Sequence, residues 1–264
     1  MGSGTMNAII EARRADYVPI LTAPSTPAAL VCFHFAGGSA QSFFRWRRLG
    51  QGCCDLIAAE LPGRGRRTRE SFIRSIPELA ERLADAATAF PDKPCMFFGH
   101  SLGALIAYET ARILHARGHR VPDRLIVSAR QSPGWEPVTS GLPALDEDAL
   151  RDYLHNLAGT PKEVLENEDL MRMTIPILRA DLQLIYNHRH LPGEQLNIPV
   201  EAIGAIGDDY VAFESLLGWR NTTSDDFRLH MIQGGHFAIM ENPGIVFEVI
   251  RNIPNGKAIR HAPR

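Results

Sequence analysis

The sequence predicts an α/β fold: a mostly parallel sheet with helices on both faces and a helical lid insertion. Three observations predict it. Short apolar runs lack the strict alternation of half-exposed strands, helical patterns lie between these runs, and one long segment carries helical patterns but no strand.

The apolar runs at residues 28–35, 55–61, 95–98, 125–128, 200–206 and 227–232 are the expected strands. Ser75-Ile76-Pro77-Glu78 is a capping box with proline in the first turn, and Ile76, Leu79, Leu83 and Phe90 follow at helical spacing. A second helix is expected over 102–117, with Ala104, Ala107 and Ala111 as a small-residue face and Gly118 as its C-cap. A last helix is expected over 245–250, after Pro243. Residues 131–192 break the alternation, with a Pro/Gly-rich loop over 132–143 and helices over 146–157 and 161–186, the second interrupted at Pro176. The expected division is therefore a core of 1–130 and 193–264 with a lid of 131–192; an elaborated crossover is the plainer reading of that segment.

Composition narrows the function. With 45% hydrophobic and 22% charged residues in 264, the chain is neither disordered nor fibrous. No run reaches membrane-spanning length, and the Gly/Ser-rich start before Met6 lacks the apolar stretch of a signal peptide. A net charge of −2 argues against general nucleic-acid binding. Cys32, Cys53, Cys54 and Cys95 form no C-x-x-C pattern, so no zinc or redox motif is signalled and no metal is expected. Free thiols suit the cytoplasm. A monomer, with neither membrane nor nucleic acid as partner, is the expected state.

Chemistry is concentrated in Gly99-His100-Ser101-Leu102-Gly103. G-x-S-x-G between a strand and a helix is a nucleophile elbow: the serine takes a strained backbone conformation, and the flanking glycines remove clashes with neighbouring elements. A serine hydroxyl needs a base. Among ten histidines, His236 in Gly234-Gly235-His236-Phe237 follows the last strand and suits that role. His100 lies within the elbow, His34 after the first strand, and His188 and His190 in the insertion. An acid that orients the imidazole is expected after the 200–206 strand, where Asp208 and Asp209 both fit. An oxyanion hole needs two N–H groups, one from Leu102 and one from the glycine loop Phe35-Ala36-Gly37-Gly38-Ser39.

From about residue 29 to 250 the chain resembles the type II thioesterases of polyketide or nonribosomal peptide biosynthesis, members of the α/β-hydrolase superfamily. The resemblance rests on Ala36-Gly37-Gly38-Ser39 with Phe43 and Trp46, on Leu61-Pro62-Gly63-Arg64-Gly65-Arg66-Arg67, on the stretch from Gly99 to Glu109, on Leu178-Arg179-Ala180-Asp181 with Tyr186, and on Gly234-Gly235-His236-Phe237. It departs where the family has proline-histidine before the alanine-glycine-glycine and this chain has His34-Phe35. Aligning Gly204 and Val211 with the family places the acid on Asp208. The resemblance implies hydrolysis of acyl groups from the phosphopantetheine arm of acyl or peptidyl carrier proteins, with no cofactor of the enzyme's own. Ser101 would attack, His236 would act as base, and the Ala36 and Leu102 amides would hold the oxyanion. Carrier proteins of this kind are acidic, so Arg64, Arg66, Arg67 and Arg69 are candidates for a docking rim; a solvated arginine loop is the plainer reading. A small-molecule carboxylesterase or lipase on the same fold is countered by the lid signature. A silent hydrolase-fold binding partner is countered by the complete Ser101, Asp208 and His236 set.

Overall fold

The computed structural model describes residues 16–252, except 24–25, 91–92, 136–143, 145, 158 and 161. Seven strands form one sheet in the order β1-β3-β2-β4-β5-β6-β7. They are β1 (Tyr17–Leu21), β2 (Ala29–Phe33), β3 (Asp55–Ala59), β4 (Cys95–His100), β5 (Arg124–Ser128), β6 (Val200–Ala205) and β7 (Phe227–Ile232). All neighbours run parallel except β1, which is antiparallel to β3.

Six strands fall on the expected runs. β1 was not expected, because Pro19 interrupts its apolar pattern. Proline is tolerated there because β1 is an edge strand, and its register slips between Pro19 and Leu21. β2 stops at Phe33, short of the expected 35, because the chain turns into the glycine loop.

The main helices are α1 (Ile76–Ala87), α2 (Leu102–Ala116), α3 (Glu147–Asn156), α4 (Glu168–Asn187) and α5 (Gly244–Arg251). Ser75 caps α1, its Oγ accepting from the Glu78 amide at 3.4 Å, and Pro77 lies in the first turn; of the expected capping box, this half is the one seen. α2 ends before Gly118, whose φ of 65° suits glycine. Each strand's alternate residues feed separate cores. Phe33, Phe97, Leu125 and Val127 pack with α1, α2 and the insertion, whereas Leu30, Met96, Phe98 and Ile126 pack with Phe43, Trp46 and Phe247. Burying one such Leu or Phe contributes about 1.5–3 kcal/mol, so a one-residue slip of a strand would be costly on both faces.

Between β5 and β6 the elements among the described residues are helical: α3, a single turn over Lys162–Leu165, and α4. Residues 136–143 of the Pro/Gly-rich loop, and the expected helix start at 161, lie outside the described residues. Leu150, Leu154, Met171, Ile175, Leu178 and Leu182 join the core on the α1–α2 face. The expected break at Pro176 does not occur. α4 runs through it, and the break falls instead at Asn167, whose side chain accepts from the Asp169 and Leu170 amides at 3.0 and 3.1 Å. Proline removes one helical N–H, but Pro176 and Arg172 are both exposed, so water can satisfy the freed carbonyl. No helix among the described residues is long and apolar enough to cross a membrane.

Candidate active site

β4 delivers the chain into the elbow at the sheet's carboxyl edge, where Ser101 has φ 54° and ψ −115°. Such a conformation costs a non-glycine residue on the order of 1–3 kcal/mol and survives only where its surroundings enforce it. Here the Ser101 amide donates to the Ser128 carbonyl at 2.8 Å, and the Ala104 amide donates to the Ser101 carbonyl at 3.1 Å. The glycines are obligatory. A Cβ on Gly103 would overlap the Phe33 carbonyl, and one on Gly99 would overlap the Gly103 carbonyl. β2, β4 and α2 are thus pressed together around the serine, which stands at the N-terminus of α2.

The loops after β6 and β7 meet each other at the same edge of the sheet. The Ile206 amide donates to the Ile232 carbonyl at 3.0 Å and Gly207 to Gly234 at 2.9 Å, extending the β6–β7 pairing past the strand ends. Gly234 sits at φ 111°. This register brings Asp208 against His236, with Asp208 Oδ2 2.8 Å from His236 Nδ1. The other oxygen, Oδ1, accepts from the Tyr210 amide at 2.9 Å. Asp208's side chain is 1% exposed and that of His236 8%. Asp209 is exposed, so of the two aspartates only Asp208 meets the imidazole. The His236 ring lies 5.4 Å from that of His100, the residue before Ser101, and is further enclosed by Phe237 at 5.3 Å and Tyr210 at 5.8 Å.

His100, beside His236, and His34, just after β2, are buried. Burial, reinforced by His236, holds His100 well below the ordinary imidazole value. Burial and the nearby Arg64 lower His34 to about 4, against the opposing pull of Asp181 and the Phe35 carbonyl.

The glycine loop is clamped from two sides. Asp181 on α4 accepts from the Gly37 amide through Oδ2 at 2.8 Å, where Gly37 has φ 80°. Arg64 grips the same carboxylate through two bonds of 2.6 and 2.7 Å and also donates to the Gly38 carbonyl at 3.2 Å. Neither the Ala36 nor the Leu102 amide donates to another protein group among the described residues, so both are available to an oxyanion.

This network corrects the expected docking rim. Arg64 is buried in its pair with Asp181. Arg67 is buried as well, bonded to Asp16, Glu70 and the Glu60 carbonyl. Neither can be presented to a partner, because each guanidinium is consumed internally; Arg66 and Arg69 are exposed. Asp181 is the site residue that motif reading left without a role. Its signal was there: a lone acid on the apolar stripe of α4, between Leu178 and Leu182 and Ile185.

The insertion also reaches the histidine loop. Tyr153 on α3 meets Tyr210 edge-on at 6.2 Å, and a Cβ on Gly159 would overlap the Phe237 ring.

Comparison with known proteins agrees with this geometry. Residues 28–254 match the family model described as Thioesterase domain. The chain is 36% identical over 216 residues to thioesterase PikA5 of Streptomyces venezuelae, covering 81% of this chain and 76% of that protein. It is 30% identical over 213 residues to the gramicidin S biosynthesis protein GrsT of Aneurinibacillus migulanus, covering 81% and 83%. The solved structure of the type II thioesterase BorB from the borrelidin biosynthetic cluster superposes with a TM-score of 0.83 at 31% identity, over 90% of this chain and 96% of that one. With its parallel sheet, its elbow and its match over most of the sequence, the chain belongs to the thioesterase family and is a thioester hydrolase of the α/β-hydrolase fold.

Proposed function

We propose that the chain is a type II thioesterase that clears acyl groups from the phosphopantetheine arm of carrier proteins in polyketide or nonribosomal peptide synthesis. The observation that carries the mechanism is the Asp208–His236 pair, whose imidazole lies 5.4 Å from the ring of His100, the residue before the strained serine. With Nδ1–H donating to Asp208, the imidazole presents a lone pair on Nε2. That nitrogen takes the Ser101 proton as Oγ attacks the thioester carbonyl, and the resulting imidazolium is stabilised by the buried carboxylate. The Leu102 amide, at a helix N-terminus, and the Ala36 amide receive the oxyanion. Collapse expels the pantetheine thiol, which takes the proton from His236. Water then repeats the cycle on the acyl-Ser101 ester, releasing the carboxylic acid. Every proton is moved by His236, so the reaction needs no cofactor of the enzyme's own.

The relatives support the substrate class: GrsT is named for gramicidin S biosynthesis and BorB comes from the borrelidin cluster. Arg66 and Arg69, exposed on the loop that Arg64 and Arg67 anchor, are the remaining docking candidates for an acidic carrier.

The test is a panel of acyl groups on one carrier protein, read by intact-protein mass spectrometry, with a matched oxygen ester alongside. Loss of acyl mass with wild type, none with Ser101→Ala, and preference for the carrier thioester are expected. Full turnover by pure Ser101→Ala refutes the nucleophile, and preference for the oxygen ester favours an esterase. Arg66→Glu with Arg69→Glu should slow hydrolysis on the carrier while sparing a small free thioester; equal effects on both exclude docking there.

A further inference from the structure

Midway along α2, an acid and two imidazoles converge. Glu109 lies on α2, and His188 and His190 lie just after α4. His188 closes α4 in extended backbone (φ −68°, ψ 133°), so residues two apart can project to the same side. His188 Nε2 is 3.5 Å and His190 Nδ1 3.8 Å from the same oxygen, Glu109 Oε1. All three potential ligand atoms lie within 4.8 Å of one another.

We propose that Glu109, His188 and His190 form a binding site for a divalent transition-metal ion, zinc foremost, which ties the end of the insertion to the helix that carries the nucleophile. Bonds of about 2.0–2.1 Å in a tetrahedron place ligand atoms roughly 3.3 Å apart, and the two spacings to Glu109 lie close above that. Nδ1 of His188 is buried without a hydrogen-bond partner, and Nε2 of His188 and Nδ1 of His190 are buried with only the long 3.5 and 3.8 Å approaches to Glu109. Proteins seldom bury imidazole nitrogens unpaired, and an ion would satisfy one on each ring.

Two nitrogen donors favour zinc, cobalt, nickel or copper over calcium or magnesium.

Arg112 is the charged neighbour that matters most. It contacts Glu109 Oε2 at 3.0 Å and Oε1 at 3.3 Å and lies over the Tyr108 ring. It orients the carboxylate from outside the ligand set, while its own charge moderates affinity. A fourth position would fall to water.

The experiment titrates the EDTA-stripped full-length protein with zinc chloride by calorimetry and follows its thermal midpoint. Wild type should take up one more equivalent than His188→Gln/His190→Gln, and His190→Gln alone should weaken that equivalent at least tenfold. Zinc bound elsewhere, at Cys53 or at the tail's His261, cancels in the difference. Zinc should raise the midpoint of wild type more than that of the double variant, with both proteins equally folded by circular dichroism before zinc is added. Equal stoichiometry and affinity in wild type and variants overturn the site. So does an equal zinc-induced shift. If the double variant does not fold, an unweakened titration of His190→Gln overturns it alone.

Discussion

Removing the Asp181 carboxylate tests how the insertion governs the oxyanion loop. In Asp181→Ala, Arg64 loses both of its carboxylate bonds and the Gly37 amide loses its acceptor. Breaking a buried ion pair from one side costs about 3–5 kcal/mol, because a charge is left uncompensated. Glu60 lies close enough to act electrostatically on Arg64, which places the expected loss near the lower end, about 3 kcal/mol. The catalytic effect is separate. With Gly37 released, the adjacent Ala36 amide is no longer preorganised, and losing one oxyanion donor costs roughly 10²–10³ in kcat. Asp181→Asn discriminates the two effects: it keeps an oxygen for Gly37 while removing the charge, so it should lose stability but retain more of kcat than alanine does. Urea unfolding gives the first quantity, and steady-state hydrolysis of an acyl-carrier thioester gives the second. Wild-type stability in Asp181→Ala, or equal kcat losses in the two variants, would refute the reasoning.

Three further outcomes follow from the same geometry. Ser101→Gly should be inactive yet more stable by about 1 kcal/mol, since relief of 1–3 kcal/mol of strain outweighs glycine's entropic cost; calorimetry should show a midpoint about 2–4 °C higher, and a lower midpoint would show that the elbow is not strained. Asp208→Asn should lower kcat by roughly 10⁴ through the wrong imidazole tautomer, while Asp209→Asn, altering an exposed side chain, should stay close to wild type; the reverse order reassigns the acid. His34 and His100 are neutral when folded but bind protons once unfolded. Their contribution is therefore complete above the ordinary imidazole value of 6.5 and is lost as pH falls below it, for His34 down to about 4 and for His100 through its own lowered value. Two such groups give a slope of up to about 2.7 kcal/mol per pH unit, and His100→Gln should remove about one proton's worth of it in urea titrations between pH 7 and 5; an unchanged slope excludes His100.

Much of this molecule can be read from local pattern. The buried strands announce themselves because two-sided burial demands unbroken apolar runs, and the elbow because its glycines have steric jobs that no other residue can do. β1 escaped because Pro19 is disqualifying for a central strand but harmless on an edge, and edge position is a property of the whole sheet. Pro176 misled for a related reason: whether a proline breaks a helix depends on what meets the freed carbonyl, and here solvent does.

The residue types, their order along the chain and the nucleophile's immediate neighbourhood were determined by sequence alone, since strand-to-helix geometry and glycine sterics act over a few residues. Which charges are spent inside the protein was decided only by tertiary structure. Arg64 and Arg67 look like Arg66 and Arg69 in a string of letters, yet two are buried against Asp181 and Asp16, 117 and 51 positions away, and two face water. The same holds for Glu109 beside His188. Coulombic and hydrogen-bond partners are chosen by distance in space, and only the packed chain sets that distance.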